Sequence, residues 1–366
     1  MKPCNTKRPM RILDRRSLFT ARAAGAALVP AAAQTQRPPA AEKQPPAAEP
    51  PRDWTGREPI RYPDRDIVAL DSRFRKYMVG NTTIQRLYTG TLWAEGVAWN
   101  GAGRYLMWSD IPNNRQLRWL EEDGHVSVFR TPSGYSNGNT FDFEGRQLSC
   151  EHGNRRVVRY EPNGSVTVIA DKWQGKPLNS PNDVVCKSDG SIWFSDPPFG
   201  ILGFYEGHLA TPELPTNVYR VDGKTGRITV AAEGINRPNG LAFSPDETRL
   251  YIVEAGVLPR LLHVYDVIDN GTRLGNKRKF LDAGAGTPDG FRCDIDGNLW
   301  CGWGMGQEGF DGVSVFNPEG RLIGRVDLPE RCANLCFGGT HRNRLFMAAS
   351  TSIYSLFVNT QGAAGG

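Results

Sequence analysis

One phrase recurs along this chain, and it limits the fold more than any other feature. A polar turn cluster leads into a short apolar strand, a Gly or Asp-Gly turn follows, a second strand ends in a polar loop, and a third strand with an outer partner completes the unit. The clearest copy is Asn179-Ser-Pro-Asn182-Asp183-Val-Val, then Gly190-Ser-Ile-Trp-Phe-Ser-Asp196-Pro-Pro. Its closing prolines end the second strand, because proline cannot donate to a ladder. Earlier copies run Gly96-Val-Ala-Trp-Asn to Asp110, and Gly138-Asn-Thr-Phe-Asp to Glu151-His152. Later ones run Gly240-Leu-Ala-Phe-Ser to Glu254, Gly290-Phe-Arg-Cys-Asp to Gly302, and Asn334-Leu-Cys-Phe-Gly-Gly to Ser350.

The period is about 45 to 57 residues, close to that of propeller blades. Six units of three or four strands predict an all-β, six-bladed β-propeller rather than a β-sandwich or two small β domains. The last unit lacks an outer strand. Thr82-Thr-Ile-Gln-Arg-Leu-Tyr, before the first unit, can supply it and close the ring, which removes open sheet edges. The propeller is thus expected over residues 82–358, with a flexible tail at 359–366. Residues 54–81, with Tyr62, Arg65 and Phe74, read as an N-terminal extension packed on the outside. Residues 200–216 lengthen the loop between strands two and three of the third blade, and loops of that length often act as lids.

The N-terminus reads as an export signal. Asp14-Arg15-Arg16-Ser17-Leu18-Phe19 is a twin-arginine core, an Ala-rich run follows, and Ala31-Ala32-Ala33 offers a cleavage site. The run is shorter and milder than the roughly 20 apolar residues of a spanning helix. The alternative is a disordered basic tail; the twin arginines and the Ala-rich run argue against it. Residues 1–33 are therefore expected to be a signal peptide and 34–53 a Pro/Ala-rich linker. The expected location is the periplasm or outside the cell, with the twin-arginine export machinery a transient partner and no membrane contact after signal removal.

The net charge of +5 includes an excess in the first sixteen residues, and no basic stripe with interleaved aromatics occurs, so nucleic acid is not an expected partner. Of the seven cysteines, Cys4 falls in the signal; Cys150, Cys186, Cys293, Cys301, Cys332 and Cys336 form no CxxC pair and read as buried small hydrophobes. Cys293 and Cys301 could meet across one hairpin, and an oxidising compartment would permit a disulfide.

In a propeller the innermost strands line a central channel, and the residue opening each strand sits at one mouth. Glu95 opens blade one, Asn182 blade three, Asn239 blade four and Asp289 blade five. Two carboxylates and two amide oxygens suit a hard dication such as calcium better than zinc, which recruits His or Cys. Glycine follows Glu95, Asn239 and Asp289, as expected where backbones crowd together. Any one Asn-Gly or Asp-Gly is a common turn dipeptide; the shared register is what carries the reading.

The phrases Glu95-Gly-Val-Ala-Trp, Cys150-Glu-His-Gly-Asn-Arg-Arg, Leu178-Asn-Ser-Pro-Asn-Asp-Val-Val, Phe194-Ser-Asp-Pro-Pro-Phe-Gly, Arg237-Pro-Asn-Gly-Leu-Ala-Phe-Ser-Pro-Asp and Pro288-Asp-Gly-Phe-Arg-Cys-Asp together resemble the gluconolactonase, regucalcin (SMP-30) and LRE family, bacterial gluconolactonases above all. The resemblance covers residues 94–356. It implies a calcium-type dication at the channel mouth, hydrolysis of a sugar lactone, metal ligation by Glu95, Asn182, Asn239 and Asp289, and proton transfer by Asp289. Regucalcin-like members carry a substrate-holding arginine two residues before the Asn of blade three, where this chain has Ser180; substrate handling is therefore expected to differ. Bacterial members often have Asp or Thr where Glu254 stands.

On this reading the metal polarises the lactone carbonyl while a carboxylate takes a proton from the attacking water and returns it to the leaving alkoxide. Asp289 is the expected base. Asp183 is the second choice, or else faces the channel interior and orients a ligand. His152 is a candidate base or substrate-hydroxyl partner, the bland alternative being a loop histidine paired with Glu151 or Asn154. Asp110, Asp196 and Glu254 end second strands and are expected to line the pocket, and Tyr205 and His208 of the insertion to form a lid. His125, His263 and His341 receive no role. The competing functions are an esterase or phosphotriesterase on the same metal site, and a non-catalytic calcium-stabilised propeller that binds a partner. No feature suggests a pyrroloquinoline cofactor.

Overall fold

Four-stranded antiparallel sheets follow one another along the chain in the computed structural model, which describes residues 52–56, 60–305 and 309–364. The expected signal peptide, 1–33, and nearly all of the expected linker lie outside the described residues. Blade one consists of Ala94–Asn100, Tyr105–Asp110, Arg115–Leu120 and Val126–Arg130; blade two of Ser136–Phe141, Gln147–Glu151, Arg156–Tyr160 and Val166–Ala170. Blade three runs Val184–Cys186, Ile192–Asp196, Asn217–Val221 and Ile228–Ala232, and blade four Pro238–Phe243, Arg249–Glu254, Leu261–Ile268 and Arg273–Asp282. Blade five is built from Phe291–Cys293, Leu299–Trp303, Gly312–Phe316 and Leu322–Asp327. The sixth blade takes Cys332–Gly338, Arg344–Ala349 and Ser352–Phe357, and its outer strand is Gln85–Thr89, paired with Ser352–Phe357. Six blades in this order are a β-propeller, closed between the two ends of the chain as the sequence leads one to expect.

The first strand of each blade touches the first strands of its neighbours all the way round, so these strands form the channel wall. Alternate residues of the second strands point into the layers between blades. Trp108, Trp193 and Trp300 are the largest fully buried side chains there, on the second strands of blades one, three and five. The six cysteines after the signal are all buried and free. Cys301 lies opposite Phe291 and Cys293 opposite Leu299, so the two thiols are not cross-strand partners.

Two terminal segments depart from expectation. Residues 54–81 carry regular structure: Ile67–Ala69 adds a fifth strand to blade five along Leu322–Asp327. A short 3-10 turn, Ser72–Tyr77, follows, capped by the Asp71 side chain on the Arg73 amide. The turn drives Phe74 to within 5.7 Å of Trp300, ring centre to ring centre. Gly324 makes room for it, since a Cβ there would lie 2.4 Å from the Phe74 ring. The residues after the last strand are tied down rather than loose. Asn359 N–H bonds to Tyr77 O at 2.8 Å, Gly362 N–H to Arg342 O at 2.9 Å and Ala363 N–H to Cys293 O at 2.9 Å. Phe74 is 1% exposed, so Phe74→Ala, which removes its ring from the layer over Trp300, is expected to cost about 3–5 kcal/mol in chemical denaturation.

Candidate active site at the channel mouth

The inner strands all begin at one end of the channel, and most of them are irregular there. In blades one, two and four the ladder shifts between Glu95 and Ala98, between Ser136 and Asn139, and between Pro238 and Leu241. Each shift is a β-bulge, an extra residue on the inner strand, and a bulge re-aims side chains. In blades three and five the regular strand starts only after the same point. Asn182 N–H bonds to Ser195 O at 2.9 Å and Asp289 N–H to Gly302 O at 3.0 Å, and these residues sit two positions before their strands.

The bulges put successive backbones almost in contact. Gly138 N–H donates to Asn182 O at 2.8 Å and Gly290 N–H to Ala333 O at 2.8 Å. A Cβ on Gly96 would lie 1.8 Å from Asn137 O, and one on Gly240 2.4 Å from Asp289 O. Gly96 also has φ +55, a conformation other residues rarely adopt. Crowding at the mouth, expected from the glycine pattern, is therefore real.

Glu95, Asn182, Asn239 and Asp289 are all brought to this mouth. Glu95 Oε2 accepts from Gly96 N–H at 2.8 Å and from Asn334 Nδ2 at 3.1 Å, and Oε1 accepts no hydrogen bond from the described residues. Burial first, and then the Asp289 charge, push the Glu95 carboxyl well above the usual range. Burial raises Asp289 as well, opposed by Arg331, whose guanidinium contacts Asp289 Oδ2, and by a hydrogen bond from Asn239. Among the described residues the Asn182 side chain has no hydrogen-bond partner.

The other expected site residues have different neighbours. Asp183 faces the channel interior, one residue deeper, where its carboxylate lies 3.6 Å from the Arg292 guanidinium with both side chains 2% exposed. His152 is fully buried and pairs with neither Glu151 nor Asn154. Its Nδ1 lies 3.2 Å from the backbone oxygen of Glu206 and its Nε2 3.3 Å from Asn137 Nδ2. Burial lowers the imidazole to about 4, so the ring is neutral near pH 7.

Asp196 and Glu254 share a task. Asp196 Oδ2 accepts from Asn179 N–H at 2.9 Å, and Glu254 Oε1 from Asn236 N–H at 2.7 Å. In blade one, Asp110 Oδ1 accepts from Leu92 N–H at 3.0 Å. Each carboxylate thus clamps the backbone three residues before Asn182, Asn239 or Glu95. Glu254 is further held by His263 Nε2 at 2.6 Å. Ser180 is fully buried; its hydroxyl donates to Pro197 O at 2.6 Å and accepts from Gly200 N–H at 2.9 Å. It holds the loop before Asn182 and does not reach the mouth.

The insertion folds back on blade three, with His208 N–H bonded to Gly200 O at 3.1 Å. Tyr205 and Phe204 are exposed at its tip, and the His208 ring meets Tyr135 edge-on at 5.1 Å. Glu206 turns inward, its carboxyl raised to about 7 by burial and by the Asp289 charge and lowered by Arg331.

Three residues of this neighbourhood carry no signal that singles them out in the sequence: Glu206, Arg331 and Arg292. Arg331 lies in the loop entering blade six, with its guanidinium 5.3 Å from the Trp93 ring centre. Asn137 did carry a signal. It precedes a glycine at the same register as the other mouth residues. A cavity of about 650 Å³ opens at the other end of the channel, lined by Trp99, Phe141, Arg292 and Arg342.

The SMP-30/Gluconolactonase/LRE-like region matches residues 93–351, and the chain belongs to that family. It is 32% identical to a gluconolactonase of Zymomonas mobilis over 81% of this chain and 87% of that one. It is 26% identical to the pentonolactonase XacC of Haloferax volcanii over 70% of this chain and 81% of the relative. Among solved structures it resembles a gluconolactonase from Xanthomonas campestris at 34% identity and a TM-score of 0.74, over 80% of this chain and 94% of that one. Regucalcin from Agrobacterium tumefaciens, a calcium-binding protein, shares the fold at 21% identity and a TM-score of 0.62, over 76% and 94% of the two chains.

Burial pushes the Asp196 carboxyl up to about 7. A carboxyl raised on folding binds its proton more tightly in the native state, so its contribution is complete below the unfolded value near 4 and is lost as pH rises towards 7. Asp196→Asn keeps an acceptor for Asn179 and cannot ionise. Between pH 4 and pH 7 its melting temperature is expected to fall less than that of the wild type.

Proposed function

We propose that this protein is a lactonase that uses a divalent metal, calcium by the chemistry of its donors, to hydrolyse a sugar lactone of the gluconolactone type to the aldonic acid. Family membership and the gluconolactonase relatives support hydrolysis of a lactone ester. The observation that carries the metal is the gathering of Glu95, Asn182, Asn239 and Asp289 at one mouth, at bulges in blades one and four and just before the strand in blades three and five.

The residues fit such an ion. Every donor is oxygen, which suits a hard cation of variable geometry. Among the described residues no three His, Cys, Asp or Glu side chains gather as a ligand group, because half of this set is amide. The two acids are buried and repel each other, and a dication between them would relieve both burial and repulsion. Glu95 would bind through Oε1, Asp289 through the oxygen Arg331 leaves free, and Asn182 and Asn239 through their carbonyls.

When bound, the ion would supply Lewis-acid polarisation of the lactone carbonyl and a more acidic water. Asp289 accepts a proton from the attacking water as the new C–O bond forms. It returns that proton to the ring oxygen when the ester bond breaks. The Arg331 charge beside Asp289 favours the ionised carboxylate that accepts the proton. Burial lowers the His152 imidazole to about 4, which makes it a weak base, and both its nitrogens are engaged, so this reading gives the proton transfer to Asp289.

Hydrolysis of gluconolactone, followed by acid release, is expected to stop in chelator and return with calcium; turnover unchanged by chelator refutes the metal. Asp289→Asn keeps an oxygen ligand without the base. It is expected to lose activity by about 10²-fold or more while still binding calcium, the scale of a lost general base. For export, Arg15→Lys together with Arg16→Lys is expected to leave the protein in the cytoplasmic fraction; periplasmic recovery of that variant would refute the twin-arginine signal.

A further inference from the structure

Blade two brings to the mouth a residue with no role so far. Asn137 holds in its blade the position that Glu95, Asn182, Asn239 and Asp289 hold in theirs; like Glu95 and Asn239 it sits at a bulge and immediately before a glycine. It is 4% exposed. Its backbone is fixed on both sides, because its carbonyl accepts from Ser109 Oγ at 2.9 Å and from Asn139 Nδ2 at 2.9 Å. Asn139 Nδ2 reaches Gly96 O at the same 2.9 Å and so ties this point to the strand that carries Glu95.

A relay from the insertion loop decides which amide atom of Asn137 faces the channel. The Glu206 carbonyl can only accept, so the His152 nitrogen 3.2 Å away, Nδ1, carries the proton. A neutral imidazole has one proton, which leaves Nε2 as an acceptor. Asn137 Nδ2 lies 3.3 Å from Nε2 and donates to it. The amide is thereby turned with its nitrogen toward His152 and its oxygen the other way. Asn137 Oδ1 accepts no hydrogen bond from the described residues and keeps a little contact with solvent.

We propose that Asn137 is a fifth oxygen donor to the divalent cation at the mouth, with His152 and the Glu206 carbonyl as positioning groups that fix its orientation. This rests on the metal-dependent reading above. A neutral amide adds a ligand without changing the charge of the site. It also gives the insertion loop a task, since moving Glu206 would free His152 and with it the amide.

The test uses the full chain and Tb³⁺ as a luminescent stand-in for calcium, with lifetimes in H₂O and D₂O counting the waters bound to the ion. Asn137→Ala is expected to add about one bound water and to weaken Tb³⁺ binding about tenfold, because water takes over each vacated position. Asn137→Ser, whose hydroxyl is too short to reach, gives the same reading should the alanine variant fail to fold. His152→Phe is expected to fall between wild type and Asn137→Ala in both water count and affinity. Wild-type counts in both Asn137 variants overturn the donor role, and wild-type behaviour of His152→Phe overturns the relay. A wild type that binds neither Tb³⁺ nor calcium overturns the metal reading itself, and the proposal with it.

Discussion

Close approach of inner-strand backbones at one end of the channel is the constraint on which the rest of the structure depends. Amides and carbonyls of neighbouring blades meet there at hydrogen-bond distance, as between Gly138 and Asn182 or Gly290 and Ala333. Side chains at the glycine positions would collide with the next blade. The bulges make this packing possible and in the same step turn the residue before each glycine toward the axis. Blades three and six break the rule with Asp183 and Asn334 at the glycine position. Both put those side chains to use, Asp183 against Arg292 inside the channel and Asn334 on Glu95.

A ring of donors is useful only if the loops leading into it are stiff. Carboxylates at the ends of second strands do this work in blades one, three and four, where Asp110, Asp196 and Glu254 each take a backbone amide three residues upstream of a mouth residue. Such bonds are charge-assisted when the acid is ionised and leave no loop amide unpaired at a buried turn. Blade five solves the problem without charge: Trp303 stands at the equivalent end of its second strand, and its indole fills the space a side chain on Gly286 would need. The acids that look like pocket lining in the sequence are thus mainly braces of the backbone.

The repeat, the closure of the ring by a strand from before blade one, and the four mouth residues were all legible in the sequence, because each follows from a short periodic pattern. What escaped depends on contacts between segments far apart in the chain. Nothing near Ile67 signals that it will pair with Val326, since three residues of strand have no pattern of their own. Arg331 sits in a loop, and its contact with Asp289 arises only when blades five and six close on each other. His152 was visible as a candidate, but its role turns on which atom faces each nitrogen. Asn137 shares the register of the other four, within an Asn-Gly pair of the kind common in turns.

Charge accounts for why these particular groups tolerate burial together. Asp183 and Arg292 neutralise each other below the mouth. At the mouth, Glu95, Asp289 and Glu206 are acids and Arg331 is the guanidinium whose charge acts on Asp289 and Glu206. With all four ionised, the group carries two surplus negative charges. Burying an uncompensated ion costs several kcal/mol, and the raised carboxyls express that cost as a preference for the proton. A dication cancels the surplus in full, where a monovalent ion would leave one charge unmatched. A mouth balanced in this way has no net charge to offer an anion. It suits a substrate that is itself uncharged, recognised through hydroxyls and a carbonyl, as a sugar lactone is.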